Sequence, residues 1–158
     1  GNWKMNKVPA EAVELVKALI PLVKDAQCDV VVCPPAVCLS AVADAVKGTN
    51  VKLGAQNVHF AQSGAYTGEL SVDMLKAVGC EYVIVGHSER RQFFGETDKT
   101  VNLRATAAVK AGLTAIVCVG EMKDERENGY TDPIVTYQTQ MALTGLTAPE
   151  EIRRVIGQ

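Results

Sequence analysis

The sequence predicts an α/β protein in which parallel strands alternate with helices. Short apolar runs rich in β-branched residues recur along the 158 residues, and longer segments with apolar residues at helical spacing lie between them. The runs are centred near Val31, Leu53, Ile84 and Val117. Because successive centres lie about one strand–helix unit apart, right-handed helical crossovers would make neighbouring strands parallel.

Capping and breaking residues set the expected boundaries. The expected strands are residues 29–33, 51–55, 82–85 and 113–119. The expected helices are residues 10–24, 39–46, 72–78, 98–111, 125–143 and 149–154. Ser71 is expected to cap the third helix and Gly79 to end it, while Gly129 and Pro133 would interrupt the fifth. A long polar loop, His59–Glu69, precedes the third helix.

Composition argues against several classes of function. The formal charge of −2 offers no basic surface for nucleic acid and no polybasic membrane anchor. No apolar run has the length of a transmembrane helix, and we expect no signal peptide. With no C-x-x-C pair, no glycosylation sequon and only two histidines, we expect reduced thiols, a cytoplasmic location and no metal site. No linker divides residues 1–158, which we expect to form one domain.

The segment Tyr82–Arg91 carries the densest chemistry in the chain. Its four apolar residues predict a strand buried on both faces, and Gly86 ends that strand before a polar cluster. Ser88 is expected to cap a short helix, with Glu89 favoured by the positive end of the helix dipole. His87 would face the same helix N-terminus, which keeps an imidazole neutral. The alternative is a structural histidine beside a cap and a surface ion pair.

Polar residues recur where the strands end. They are Asn2, Lys4, Gln56, Asn57, His87, Glu89 and Glu121. In a parallel α/β fold the carboxyl ends of the strands share one face, where a lysine, a neutral histidine and amides suit a small anionic substrate with a carbonyl to polarise. Taken singly, each has a structural explanation as a solvated charge, a backbone-bonding amide or a helix cap. Their recurrence in successive units favours the functional interpretation.

Sequence motifs for nucleotides are absent. The chain contains neither G-x-G-x-x-G nor G-x-x-x-x-G-K-[ST], so we expect no nucleotide cofactor. Ser88 also lacks the glycine that follows two residues after the serine of a nucleophile elbow.

Five motifs together resemble a known family. They are residues 1–6 (GNWKMN), 54–57 (GAQN), 67–69 (TGE), 86–91 (GHSERR) and 118–121 (CVGE). In this order and spacing they resemble the triosephosphate isomerase family over nearly the whole chain. The resemblance implies parallel (β/α) units of a TIM barrel, incomplete here with about four complete strands. It also implies interconversion of dihydroxyacetone phosphate and glyceraldehyde 3-phosphate, in glycolysis and gluconeogenesis, without a cofactor.

The resemblance assigns roles to individual residues. Lys4 and Asn2 would bind the phosphorylated triose, Lys4 through its charge and Asn2 through a hydrogen bond. His87 would polarise the substrate carbonyl and move protons between the enediolate oxygens; a neutral histidine in this role is a property of the family. Glu89 would support the lysine and the histidine loop.

Four further residues are assigned supporting roles by the same resemblance. Thr67 would lie at the tip of a loop that enters the partner subunit's active site, so a homodimer is expected for the full-length protein. Three residues would support the active site without contacting the substrate: Gln56, Arg91 and Glu121.

The chain also departs from the family. A (β/α)₈ barrel takes about 250 residues and eight strands. We therefore expect an internal fragment, which begins as the first strand ends and stops at Val155–Ile156, where the sixth strand should begin. The family's glutamate base would lie beyond Gln158. The amino-acid sequence of residues 121–124 (EMKD) also departs from the one usual in the family.

Two alternatives to a catalytic isomerase remain. One is a non-catalytic half-barrel that serves as a structural or interaction module. The other is a flavodoxin-like sheet of five units that binds a phosphate ligand, but it leaves the ordered motifs unexplained.

Overall fold

The computed structural model describes residues 1–157. Its contacts group the chain into two compact units, Gly1–Val83 and the residues from Ile84 onward. Strands β1 to β5 follow one another in the sheet in chain order, and β1 pairs with β2, β2 with β3 and β4 with β5 in parallel. The predicted α/β class with parallel strands is confirmed.

The first unit begins with helices packed over two strands. Its elements are α1 (Pro9–Leu22), β1 (Val30–Val32), a 3-10 turn (Ala36–Cys38), α2 (Leu39–Val46), β2 (Val51–Ala55), α3 (Val72–Val78) and the start of β3 (Tyr82–Val85). β1 pairs with β2 through Val30 and Val51, and β2 pairs with β3 through Gly54 and Tyr82. An isolated parallel bridge also joins Asn2 to Cys33.

The core of the first unit follows from the spacing of its apolar residues. α1 buries Ala12 and Val16, which are four residues apart and therefore on one helix face. α2 packs against α1 and buries Leu39, Val42 and Val46. Full burial of one such aliphatic side chain stabilises a fold by about 1.5–3 kcal/mol.

The second unit continues the alternation. After the end of β3 its elements are α4 (Ser88–Phe93), α5 (Asp98–Lys110), β4 (Thr114–Val117), α6 (Lys123–Glu127), α7 (Thr131–Leu143), α8 (Pro149–Ile152) and β5 (Val155–Gly157). β4 pairs with β5 through Ala115 and Val155. The Cys118 N–H, just past β4, donates to the Val85 carbonyl at 2.9 Å. β5 occupies the place where the sequence led us to expect a strand to begin.

The helix predicted over residues 125–143 differs most from the structure, while other predicted bounds differ by one or two residues. The sequence predicted helix over residues 125–143 with interruptions at Gly129 and Pro133, and the structure has two helices, α6 and α7, with Gly129 between them at φ 79°. The break at Gly129 is confirmed. Pro133 does not interrupt a helix, since it lies in the first turn of α7, where its missing N–H would have no intrahelical partner.

None of the helices in residues 1–157 combines the length and apolar character needed to cross a bilayer.

Gly54 is a packing requirement of the first unit, and its replacement gives a first prediction. A β-carbon placed on Gly54 would lie 2.6 Å from Cys33 Sγ and 3.3 Å from Tyr82 Cβ. Gly54→Ala should therefore lower the free energy of unfolding by about 1–3 kcal/mol, measured by equilibrium urea unfolding.

Gly120→Ala is the matched control for this prediction. No described atom lies within 4 Å of a β-carbon placed on Gly120, and its φ is not in the left-handed region. We expect a change within about 0.5 kcal/mol. Equal unfolding free energies for the two variants would show that the close packing around Gly54 is not a constraint.

Candidate active site

The second unit forms a sharp corner where β3 ends. Tyr82–Val85 are all buried, and Gly86 follows with φ 70°, a left-handed conformation that favours glycine. A β-carbon at Gly86 would also lie 2.8 Å from both γ-carbons of Val101 on α5. Backbone conformation and packing thus both require glycine here, and the chain is turned sharply before His87.

His87 caps the helix that follows the corner. The predicted cap, Ser88, is instead the first residue of α4, and the His87 ring accepts the Glu89 N–H at Nδ1 over 3.3 Å. A ring nitrogen that accepts such a bond carries no proton, so the proton of the neutral imidazole lies on Nε2. The side chain is 19% exposed. His87 therefore presents a single N–H donor in a mostly buried position.

The Glu89 carboxylate competes for the same nitrogen. Its Oε2 lies 3.4 Å from His87 Nδ1, a contact that would suit a protonated ring. The two contacts require opposite states of Nδ1. We assign the backbone bond, because α4 fixes the position of the Glu89 N–H, whereas the Glu89 side chain is 41% exposed.

A cavity of about 560 Å³ lies beside this corner. Residues from the ends of β3 and β4 and from α7 line it. It brings together three of the predicted site residues, His87, Arg91 and Glu121, whereas Glu89 is not part of its lining. The volume is in the range of small-ligand sites.

The Arg91 side chain connects the turn at Gly86 to the start of α5 and to the segment after β4. Its Nε donates to the Gly86 carbonyl at 2.8 Å, and one terminal nitrogen donates to Asp98 at 2.6 Å. The other terminal nitrogen lies 3.5 Å from the Cys118 carbonyl. Arg91 was predicted to support the site, and these are the contacts through which it holds the loop.

Glu121 is engaged by other residues and is poorly suited to proton transfer. Its carboxylate accepts from Arg126 at 2.5 Å and from the Thr131 hydroxyl at 3.1 Å. Its own backbone N–H, Arg126 and Thr131 hold the pKa of Glu121 below its usual range. A carboxylate stabilised in this way is a weak base.

Gln138 was not singled out in the sequence. Its side-chain amide accepts the Gly120 N–H at 2.8 Å and donates to the Gly120 carbonyl at 3.3 Å. It thereby fixes the segment after β4 that forms one wall of the cavity. No local pattern marks this glutamine, because its partner lies 18 residues away.

Cys118 also lines the cavity but does not act as a nucleophile. Burial raises the pKa of its thiol to about 11, although the neighbouring Arg91 lowers it. The nucleophilic form of cysteine is the thiolate, which is scarce at neutral pH with such a pKa.

The first unit brings together Asn2, Lys4 and Gln56. The Asn2 side chain accepts the Lys4 N–H at 2.9 Å, and Gln56 Nε2 donates to the carbonyls of Lys4 and Cys33, each at 2.9 Å. Lys4 has φ 53°, which is uncommon for a residue with a side chain. The backbone of Lys4 is therefore held in a strained conformation while its side chain extends into an exposed position.

Thr67 lies in the loop of residues 59–70, away from helices and strands, and it is exposed. His59, which the sequence analysis did not single out, organises this loop. Its ring lies 4.3 Å from the Phe60 ring and 4.1 Å from the Tyr66 ring, between centroids, and its Nδ1 accepts the Ala61 N–H at 3.0 Å. The loop is thus internally packed although Tyr66 remains 48% exposed.

Within residues 1–157, His, Cys, Asp and Glu side chains do not assemble into a group of three or more that would suit a metal ion.

The depressed pKa of Glu121 gives a second prediction. A carboxyl group whose pKa is lower in the folded state stabilises the fold above its unfolded value, about 4.3, and this contribution is lost as pH falls through the folded value. Glu121→Gln should therefore make the free energy of unfolding fall less steeply on acidification below about pH 5. Urea unfolding at a series of pH values measures this slope.

Two further variants make the test specific. Arg126→Gln removes the cation beside Glu121 and should flatten the slope in the same direction. Glu127→Gln removes only an exposed ion pair with Lys123 and should leave it unchanged. A wild-type slope in Glu121→Gln would contradict the assignment.

Comparisons with known proteins agree with the geometry. A family model described as triosephosphate isomerase matches residues 1–156. Over 156 residues the chain is 55% identical to the triosephosphate isomerase of Clostridium botulinum (strain ATCC 19397 / Type A) and 54% identical to that of Acetivibrio thermocellus, covering 99% of this chain in both cases. The chain spans 62% of the length of each of these two relatives.

A solved structure gives the same result. The chain superposes on the crystal structure of triosephosphate isomerase from Bartonella henselae with a TM-score of 0.91 and 37% identity. The match covers 99% of this chain and 64% of that one. A family model that matches nearly the whole chain, close relatives and a shared fold lead to one conclusion: the chain belongs to the triosephosphate isomerase family.

Proposed function

We propose that the protein to which this chain belongs interconverts dihydroxyacetone phosphate and glyceraldehyde 3-phosphate through an enediolate. The observation that carries the proposal is the state of His87. Its Nδ1 accepts a backbone N–H, so its Nε2–H is the donor left for a ligand in the adjacent cavity. Family membership supplies the substrate class.

His87 acts in this reaction as an electrophile and proton carrier. When a proton leaves the carbon next to a carbonyl, negative charge builds up on the carbonyl oxygen. A neutral imidazole stabilises that charge by donating from Nε2, and it exchanges protons between the two enediolate oxygens. Because α4 fixes the ring through the Glu89 N–H, little reorientation is needed during the reaction.

Lys4 and Asn2 bind the anionic substrate. The Lys4 ammonium attracts the phosphate and the developing charge, and the Asn2 amide adds a hydrogen bond. Their support is local: Asn2 and Gln56 hold the Lys4 backbone in its left-handed conformation, so the lysine side chain starts from a fixed point. Such preorganisation lowers the entropic cost of binding.

The base that removes the carbon-bound proton is assigned to a carboxylate in the part of the family's length that this chain does not span. Glu121 and Glu125 line the cavity together with His87 and Arg91, and both carboxylates already accept hydrogen bonds. Glu121 accepts from Arg126 and Thr131, and Glu125 accepts from the Met122 N–H. We further propose that the enzyme works in the cytoplasm, in glycolysis and gluconeogenesis, and needs neither cofactor nor nucleic acid.

We also propose that the protein is a homodimer in which Thr67 supports the partner's active site. The loop of residues 59–70 is ordered around His59 yet leaves Phe60, Tyr66 and Thr67 exposed. A well-packed loop with exposed aromatic rings is suited to insertion into a second subunit.

Replacement of His87 tests the proposed reaction. In protein expressed from the complete coding sequence that contains this chain, His87→Gln should lower kcat for triose phosphate interconversion by about 10²–10⁴-fold, with a smaller effect on KM. The reason is that the donor strengthens its bond as charge builds up in the transition state. A coupled assay with each triose phosphate measures both constants.

His87→Asn separates catalysis from helix capping. Asparagine is among the best N-cap residues, so this variant should keep the thermal stability of the wild type and still lose kcat. Full kcat in either variant would contradict the role of His87. An inactive wild-type protein would overturn the proposed function and favour the non-catalytic half-barrel.

Thr67→Arg tests the proposed dimer. A long charged side chain at the loop tip should weaken association, shift sedimentation towards the monomer and lower activity with it. Lys76→Arg, on α3 in the same unit, is a control that adds no charge and should change neither. A dimeric and fully active Thr67→Arg protein would contradict the placement of Thr67 at an interface.

A further inference from the structure

Arg91 bonds the backbone on both sides of the His87 α-carbon, with its side chain on one side and its backbone N–H on the other. The Gly86 carbonyl belongs to the peptide group before His87, and it accepts from Arg91 Nε at 2.8 Å. The His87 carbonyl belongs to the peptide group after it, and it accepts from the backbone N–H groups of Arg90 at 2.9 Å and Arg91 at 3.1 Å. Arg91 thus holds the two peptide planes whose orientation sets the direction of the His87 side chain.

The peptide before His87 needs such a restraint. Gly86 has no β-carbon and adopts φ 70°, so its backbone has access to conformations that other residues avoid. A rotation of this peptide would move the His87 β-carbon and with it the ring. The charge-assisted bond from Arg91 opposes that rotation, and such bonds are roughly twice as strong as neutral ones.

The guanidinium is itself anchored at its far end. One terminal nitrogen bonds Asp98 at 2.6 Å, and Asp98 is the first residue of α5, where a negative charge is favoured. The planar group therefore connects the start of α5 to the Gly86 carbonyl in a fixed direction. A lysine, with one flexible ammonium, does not reproduce this two-ended geometry.

We propose that Arg91 is a positioning residue for His87: it fixes the orientation of the Gly86–His87 peptide, and thereby of the imidazole, relative to α5. Its effect on turnover rests on the proposed isomerase function. Its effect on the ring does not, because the ring can be observed directly.

Arg90 provides a matched control on the same helix. Its side chain pairs with Glu96 at 2.5 Å and lies 4.9 Å from the centre of the Phe94 ring. Only its backbone N–H contacts the His87 carbonyl, a bond that any residue other than proline would make. Arg90→Gln thus removes a guanidinium from α4 and breaks its ion pair with Glu96, while the Gly86 carbonyl keeps its bond from Arg91.

The experiment compares Arg91→Lys, Arg91→Gln, Asp98→Asn and Arg90→Gln in protein expressed from the complete coding sequence. Nitrogen-15 NMR of the histidine rings reports which nitrogen of His87 carries the proton, and His87→Asn identifies its signals. The coupled assay gives kcat and KM. Thermal melting identifies any variant that has not folded.

We expect Arg91→Lys and Arg91→Gln both to lower kcat by about 10–100-fold, with KM changed by less than about threefold, because the donor is misaligned while substrate binding is retained. The His87 signals should broaden or show both tautomers. Asp98→Asn keeps the bond from Arg91 to the Gly86 carbonyl and removes only the negative charge that anchors the guanidinium. It should lower kcat and broaden the His87 signals to a smaller extent than the Arg91 variants. It also tests the proposal if the Arg91 variants do not fold. Arg90→Gln should retain the wild-type His87 signals.

Two results would overturn the proposal. If Arg91→Lys restores wild-type kcat while Arg91→Gln does not, the charge of Arg91 matters and its geometry does not. If the His87 signals of folded Arg91 or Asp98 variants match the wild type, Arg91 does not position the ring. A wild-type protein without isomerase activity would refute the proposed function alone, since the NMR comparison would still decide whether Arg91 orients His87.

Discussion

At the carboxyl ends of the parallel strands, side chains bond the backbone groups of the residues that follow each strand, and the site is built from these side chains. Gly86 after β3 is bonded by Arg91, and Gly120 after β4 is bonded by Gln138. In the first unit, the Cys33 carbonyl after β1 accepts from Gln56 and also from the Trp3 N–H of the neighbouring segment. Gly86 is buried, and leaving its carbonyl unpaired would cost about 1–3 kcal/mol, whereas Gly120 is exposed. Each of these side chains therefore has a structural task.

This requirement links stability to function. Gln56 Nε2 donates both to the Lys4 carbonyl and to the Cys33 carbonyl. One amide group therefore connects the end of β1 to the proposed substrate-binding lysine. A left-handed backbone at a residue such as Lys4 costs about 1–2 kcal/mol, and these hydrogen bonds offset part of it. Strain of this kind persists only where the surroundings determine the conformation, which is common at binding sites.

Local patterns predicted the regular elements well and the contacts of the site poorly. The bounds of β2, β3 and α2 were predicted correctly, because each is a compact apolar run limited by polar or breaking residues. Ser71 was also correctly predicted to cap α3. At α4 the same rule chose Ser88, a common capping residue, whereas the structure uses His87, since the left-handed turn at Gly86 brings the chain into the helix one residue earlier.

The contacts that define the site span longer distances in sequence. Gln138 bonds Gly120 across 18 residues, and Gln56 bonds Lys4 across 52. Neither pair follows from periodicity or capping, which act over a few residues. The residue types at the site were predictable from their positions after the strands. Their partners were not, because tertiary packing decides which backbone groups remain to be bonded.

The short helix α4 shows why the partners matter more than the motif. It has six residues, too few to be stable alone, and in this fully described helix no side chain is buried. Apolar packing therefore contributes little to its position. It is held by the His87 cap at its start, by the ion pair of Arg90 with the buried Glu96, and by the bonds of Arg91 to Gly86 and Asp98. Of these contacts, the bond from Arg91 to the Gly86 carbonyl acts on the peptide that precedes His87, whereas the side-chain pair of Arg90 and Glu96 anchors the helix itself. Polar contacts are directional, so the Arg91 bond orients His87 more sharply than apolar packing would.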